Sequence, residues 1–401
     1  RDSIAFALLG ADAAAERVPS VALANTPVRC SVELELLDAA NGLRAQFDSL
    51  GSAVRRKAVL MNLGLLNAPA GTANLHRSEK TALALAAGAA AAIFVNNVEG
   101  GVLLTGTASI DGRLIVIPAI CISSESGTRL RARLAAGEAM RVRIDMHNRC
   151  DAIVAHDVIA EIPGSDRAGE VILIGGHLDS WDLATGATDN GLGSFSILDM
   201  ARCFSALGIT PRRTIRFVMF MGEEQGLLGS RALVAHYREI GELEKVRVMI
   251  NLDMSGHPQG FQVGGPAAWT DLIKGINAAI HSVDTSYMAK CEAGLGLHSD
   301  HQPFMLAGIP SLSPICDLGK NVYRCYHSDC DDFDLVEPGM MVDNVRYVGM
   351  LLYALAMAEE LPGSFTLDEL KQRLIAAGLE EPLRLGGDWP WPDAKGVKEG
   401  E

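Results

Sequence analysis

The sequence predicts an α/β protein. A mostly parallel sheet flanked by helices occupies residues 151–362, a smaller α+β unit residues 1–150, and a C-terminal helix and tail residues 363–401. Three observations predict this. From about residue 151, strand-like runs at 171–175, 214–220, 246–252 and 311–316 alternate with helix-like runs at 190–207, 226–239, 267–283 and 339–360, the pattern of a parallel sheet with crossover helices. Histidines and carboxylates recur just beyond those strand-like runs, where open α/β sheets gather ligands. The first 150 residues carry short apolar runs without a comparable cluster.

In that first stretch, Lys57–Met61, Ala92–Val95, Leu114–Pro118 and Met140–Ile144 read as strands, and Ser124–Ala136 as a helix. Arg77-Ser78-Glu79-Lys80 leads into an Ala-rich helix that runs into Ala92–Val95, one αβ unit. The segment Thr81–Val95 contains Gly88 and is shorter than the roughly 20 apolar residues that a membrane span needs. No internal repeat is visible.

Val171-Ile172-Leu173-Ile174 is a buried strand by its unbroken apolar character. His177 and Asp179 follow it. A neutral imidazole is a good zinc ligand, and an acid two residues on can accept its other ring N–H and orient it. Asp189-Asn190-Gly191-Leu192-Gly193 opens the next helix; its carboxylate has two oxygens with which to bridge two metals, and the glycines let the backbone crowd close. Glu223-Glu224 follow Phe217–Phe220. Neighbouring acids point in different directions, so one can ligate while the other serves as general base. Asp253 follows Val246–Ile250. Ser299-Asp300-His301 and Tyr326-His327-Ser328 supply further histidines, of which His301 reads as structural or substrate-lining. His236, His257, His281 and His298 read as surface or core residues. Taken singly, each motif has a plainer reading as a polar loop, a helix cap or an acidic turn. Together, two histidines and several carboxylates at strand ends point to a two-metal site. Trp181, Trp269, Phe304 and Tyr326 are candidate pocket walls.

Thr366 is a candidate N-cap for a helix beginning at Leu367. The tail after Gly387, with Trp389-Pro390-Trp391-Pro392, reads as extended or disordered.

The bulk properties narrow the function. The 401 residues carry a net charge of −14 at a pI near 5.2, which gives nucleic acid no basic footprint. None of the eight cysteines forms a CxxC pair, which argues against a zinc ribbon. Cys325 and Cys330 bracket His327, either as a small disulfide loop in an exported protein or as two thiols. There is no GxSxG elbow, no HExxH and no P-loop.

The ordered strings GGHLDSWD, ATDNGLG, GEEQGLLGS, NLDMSG, SDHQPF with GIP, and YHSDCDDFD resemble the di-zinc metallo-exopeptidases of the bacterial leucyl aminopeptidase and carboxypeptidase Q (plasma glutamate carboxypeptidase) family. GHLDSWD is closest to the carboxypeptidase Q branch. Residues 55–145 resemble a protease-associated domain, through KAVLMN, the Ala-rich helix into AAIFVNN, and IPAICISSESGTRLRARLAAGE. The resemblance implies a zinc-exopeptidase fold and two zinc ions per chain. It implies one zinc on His177 and Asp253, the other on Glu224 and His327, and Asp189 bridging both. Glu223 would be the general base and Asp179 would orient His177. The implied reaction is hydrolysis of dipeptides or short peptides with a free amino terminus, through a water shared by the metals. Cobalt or manganese would suit the same ligands. A one-zinc glutaminyl cyclase-type acyltransferase and an inactive peptidase-fold binding protein are the competing readings, which zinc content and peptide cleavage separate. Export to the periplasm or medium is expected, with any signal peptide lying ahead of Arg1. A homodimer is compatible with the C-terminal helices.

Overall fold

The computed structural model describes residues 3–9 and 15–392. It contains two sheets. The first is built from β1 (Ser3–Leu9), β2 (Ala15–Val18), β3 (Ser20–Ala22), β4 (Arg29–Asp38), β5 (Ala58–Asn62), β6 (Ala91–Val95), β7 (Ala119–Ile122) and β8 (Arg141–His147). Their order is β2-β1-β8-β4-β5-β6-β7-β3. The run β4 to β7 is parallel, and the flanking pairs are antiparallel. The helices Arg77–Ala86 and Ser124–Ala135 are part of this unit.

One expected strand moves. Leu114–Ile117 stays outside the sheet, with Val116 83% exposed. The strand is Ala119–Ile122, which pairs with Ala92–Val95. Pro118 has no N–H to donate to a ladder and marks the boundary.

The second sheet comprises β9 (Val158–Ile162), β10 (Arg167–His177), β11 (Arg213–Phe220), β12 (Val246–Asn251), β13 (Gly260–Gly264), β14 (Lys290–Ala293) and β15 (Ser311–Ile315). The order is β14-β13-β15-β12-β10-β11-β9. β11, β10, β12 and β15 are mutually parallel; β9 and β13 join them antiparallel. Strand alternation explains the unbroken apolar runs. Ile172 and Ile174 face one core with Ile197, Met200, Trp269 and Leu351. Val171 and Leu173 face the other with Leu233, Val234, Tyr237 and Phe304. A strand covered on both faces needs apolar residues at every position, each contributing roughly 1.5–3 kcal/mol when fully buried.

This topology positions the site. The chain leaves β10 for β11 on one side and then returns to β12 on the other. The strand order therefore reverses beside β10, and the crevice outside the carboxyl ends opens there.

Thr366 caps the helix Leu367–Ala376: its hydroxyl accepts from the Glu369 N–H at 3.3 Å, and the Glu369 carboxylate accepts from the Thr366 N–H at 2.8 Å. The segment after Gly387 forms no helix or strand through residue 392, yet it is packed. Trp389 and Trp391 pack on a cluster of Met305, Leu370, Leu374 and Leu383, because their rings find an apolar surface that the helix Glu380–Gly386 brings beside them. Residues 393–401 lie outside the described residues. Cys325 and Cys330 form a disulfide. Among the described residues no helix is long and apolar enough to cross a membrane.

Candidate metal centre

His177 is the last residue of β10 and is buried. Its Nδ1 donates to the backbone carbonyl of Asp179 at 2.9 Å. That bond leaves Nε2 facing the carboxylates. The orienting group is thus the Asp179 carbonyl, and the Asp179 carboxylate has another task. It accepts from the backbone N–H groups of Gly222 (2.9 Å), Glu223 (3.2 Å) and Glu224 (3.3 Å). A carboxylate placed on three successive amides fixes the turn that carries the two glutamates. The expected side-chain contact of Asp179 with His177 is replaced by this cap, because the turn after β11 presents three otherwise unpaired donors.

Asp189 lies between the two histidines. Its Oδ1 is 3.2 Å from His177 Nε2 and its Oδ2 is 3.0 Å from His327 Nε2. Asp253 Oδ1 stands 3.4 Å from His177 Nε2, and Glu224 Oε2 stands 3.2 Å from His327 Nε2. Ligand atoms of His177, Asp189 and Glu224 all fall within 4.8 Å of one another. The chain approaches itself closely to achieve this. A Cβ on Gly193 would lie 2.2 Å from Asn190 Oδ1 and 2.6 Å from the Leu252 carbonyl. Asn190 Nδ2 donates to that same carbonyl at 2.7 Å, tying the Asp189 segment to the end of β12.

The donor set suits divalent metal. Glu224 Oε1 is buried and, among the described residues, has no hydrogen-bond partner. Burial pushes the Glu223 carboxyl well above the usual range against the pull of His177, with Asp253 and Asp300 adding to the rise. Burial also raises Glu224, reinforced by the charges of Asp189 and Glu223. For Asp189, burial is outweighed by hydrogen bonds to His177 and His327, which hold it low. Burial opposes protonation of His177, yet the surrounding Asp253 and Glu223 charges raise it well above its ordinary value. Packed carboxylates of this kind need a compensating cation, and imidazole plus carboxylate is a zinc-type donor set.

Asp331 positions Asp189. Its Oδ1 accepts from the Thr188 N–H (2.9 Å) and hydroxyl (2.5 Å), and its Oδ2 from the Asp189 N–H (3.0 Å). Replacing Asp331 by Asn puts an amide donor against one of these donors. Metal affinity should fall roughly 10- to 100-fold, the usual cost of losing an outer-shell partner. Competition with a chelator measures it, and an unchanged affinity would refute this role for Asp331.

His301 is buried beside the site, and its Nδ1 has no partner among the described residues. Burial lowers its pKa to about 4. The unfolded chain therefore binds this proton first as pH falls. His301 contributes stability that is complete above about 6.5 and is lost as pH drops toward 4, about 3 kcal/mol in all. Urea unfolding of His301→Asn should show a flatter pH dependence over that window; a profile with the wild-type slope would exclude His301 as the source.

The cleft over these residues has a volume of about 180 Å³ and is lined on one side by His76, Arg77, Thr107 and Ile110. These come from the N-terminal unit, which by sequence carries no catalytic cluster. Arg77 is buried, and its Nη2 lies 3.0 Å from His327 Nδ1. A guanidinium only donates, so that nitrogen accepts. Its seat exists because residue 106 is glycine: a Cβ there would lie 2.1 Å from Arg77 Nε. His298, expected at the surface or in the core, lines the cleft too. Its ring stacks on His76 with centroids 4.5 Å apart, and its Nε2 is 3.0 Å from Glu79 Oε1. Of the candidate walls, Tyr326 lines the cleft and Trp181 an adjoining cavity. Trp269 and Phe304 are wholly buried in the two cores instead. A local sequence signal for Arg77 existed only as the polar RSEK start of a helix.

Residues 157–352 match the model of peptidase family M28, and residues 18–130 that of the PA domain. A probable leucine aminopeptidase 2 of Aspergillus oryzae is 30% identical over 244 residues, 58% of this chain and 48% of that protein. Carboxypeptidase Q of Rattus norvegicus is 27% identical over 249 residues, 61% of this chain and 51% of that protein. The chain thus spans about half the length of the curated relatives it matches. Among solved structures, an aminopeptidase from Aneurinibacillus sp. strain AM-1 is similar at TM-score 0.66 and 25% identity, covering 90% of this chain and 82% of that one. A peptidase M28 precursor from Shewanella amazonensis SB2B shares the fold at TM-score 0.74 and 21% identity, covering 91% of this chain and 83% of that one.

Proposed function

We propose, from the matches of residues 157–352 to peptidase family M28 and of residues 18–130 to the PA domain, that the chain is a two-zinc exopeptidase acting on dipeptides or short peptides. The observation that carries this reading is Asp189, with one carboxylate oxygen toward each histidine. His177 and Asp253 would hold one metal, Glu224 and His327 the other, and Asp189 both. Bound zinc supplies Lewis acidity, making a water acidic near neutral pH and polarising the scissile carbonyl.

Glu223 lines the cleft beside these ligands. Its carboxylate takes the proton from the attacking water and delivers it to the leaving amine. Asp179 keeps Glu223 and Glu224 apart in role by fixing their shared turn. Arg77 is the one Arg or Lys among the cleft's described lining residues. With His327 held through Nε2, its Nδ1 would carry the proton and no longer accept from Arg77, and the guanidinium, which lines the cleft, would be available to pair with a substrate carboxylate. The volume of about 180 Å³ is below the ~300–1,000 Å³ of ordinary small-molecule pockets. Both features favour a short substrate, as in the dipeptidase reading.

The proposed division is an N-terminal unit to residue 150, a peptidase unit to 362 and a C-terminal segment beyond. Export fits the Cys325–Cys330 disulfide, which survives in oxidising compartments. The decisive experiment measures zinc per chain with hydrolysis of dipeptides and aminoacyl-nitroanilides before and after chelation. Two zinc ions with chelator-sensitive cleavage is the expected result; one zinc or none without cleavage would overturn the reading.

A further inference from the structure

We infer that Asp388, in the segment after the last helix, is a positioning residue that sets how long a peptide the cleft admits. The inference rests on the peptide-cleaving reading of the cleft above. The cleft has one wall from each unit, so its length depends on how those walls are held. Asp388 lies outside the region 157–352 that carries the metal-centre residues, and its side chain is 9% exposed.

Two chains of contact run from this carboxylate to the peptidase-side wall. Arg231 donates to Asp388 through Nη1 and Nη2 at 2.5 and 2.6 Å, and its Nε donates to the Gly226 carbonyl at 2.9 Å. Gly226 lines the cleft. Gln302 Nε2 donates to Asp388 at 2.7 Å, and its Oε1 accepts from the His298 N–H at 2.8 Å. His298 also lines the cleft, and through its ring it meets His76 and Glu79 of the N-terminal unit. A bidentate guanidinium–carboxylate pair fixes direction as well as distance.

The same segment grips the opposite wall. Leu385 packs on the core of the N-terminal unit. A Cβ on Gly386 would lie 3.1 Å from the side chain of Ile110, itself a cleft residue. Glu381 pairs with Arg44 at 2.5 Å. On the far side, Trp389 and Trp391 pack with Leu295 and Leu297, in the loop that leads to His298. Residues 381–391 therefore touch both walls, and Asp388 is the polar junction between them. Without that junction the loop carrying His298 loses its anchor and the closed end of the cleft loosens.

The test uses the full zinc-loaded chain with the variants Asp388→Asn and Gln302→Met. The second removes only the arm to His298 and guards against a general folding defect in the first. Two readouts are taken: kcat and KM for a dipeptide and for a tetrapeptide, and amide hydrogen exchange over residues 106–112 and 295–302. Wild type should prefer the dipeptide. Both variants should raise the dipeptide KM roughly tenfold, the loss of one charge-assisted hydrogen bond, with kcat little changed. Their preference for dipeptide over tetrapeptide should fall by a similar factor. In Asp388→Asn, exchange should quicken in both segments together. A folded Asp388→Asn protein with wild-type length preference and wild-type exchange in both segments would overturn the inference. If wild type cleaves no peptide, the exopeptidase reading fails, and hydrogen exchange alone decides whether Asp388 couples the two walls.

Discussion

Glu223→Gln is expected to lower kcat roughly 10²- to 10⁴-fold, the range for loss of a general base, while both metals stay bound. The amide keeps the shape of the side chain and the turn that Asp179 caps through the amides of residues 222–224, so the ligands keep their places. Glu224→Gln should behave differently: its carboxylate oxygen faces His327 Nε2 at 3.2 Å, and losing that charge should weaken one metal. Metal analysis and steady-state kinetics on both variants separate the roles. Near-normal turnover in Glu223→Gln, or loss of a metal from it, would show that the base lies elsewhere.

Asp189→Asn should have the broadest effect on metal binding. Each of its oxygens serves a different histidine, so one substitution reaches both positions. An amide offers one acceptor oxygen and no charge. Zinc per chain should fall toward one or less at micromolar free zinc. In wild type, zinc binding to the folded state alone stabilises it by roughly 2.7 kcal/mol per site at a hundredfold excess over Kd. The zinc-dependent rise in Tm should therefore shrink sharply in Asp189→Asn. Two tightly held zinc ions in this variant would remove Asp189 from the bridging role.

Much of the peptidase unit was legible because its strands are covered on both faces. A run such as Val171–Ile174 has no polar alternative, and its end is marked by the first polar group, His177. Glu223 is marked in the same way, Glu224 comes one residue later, and Asp253 lies two residues past the first polar group, Asn251. The strands β1, β4, β9 and β14 were harder to read. Their burial is partial, as in Val158–Ile162, where four of five residues are exposed, so their apolar signal is diluted. Leu114–Ile117 misled for the opposite reason: apolar residues before a proline need not join a ladder.

By itself the sequence determined which side chains could serve as ligands and base, since residue type and strand-end placement are local properties. It also determined the α/β class through the spacing of apolar runs. Only the tertiary structure decided which oxygen of Asp189 meets which histidine, that Asp179 caps a turn with its carboxylate, that Arg77 and His298 line the cleft, and that Asp388 bonds to Arg231 and Gln302 behind it. Those three residues lie in separate segments, and their relation depends on how the two units and the C-terminal segment pack. Packing brings together groups with no periodicity in common, so no local pattern in the chain announces them.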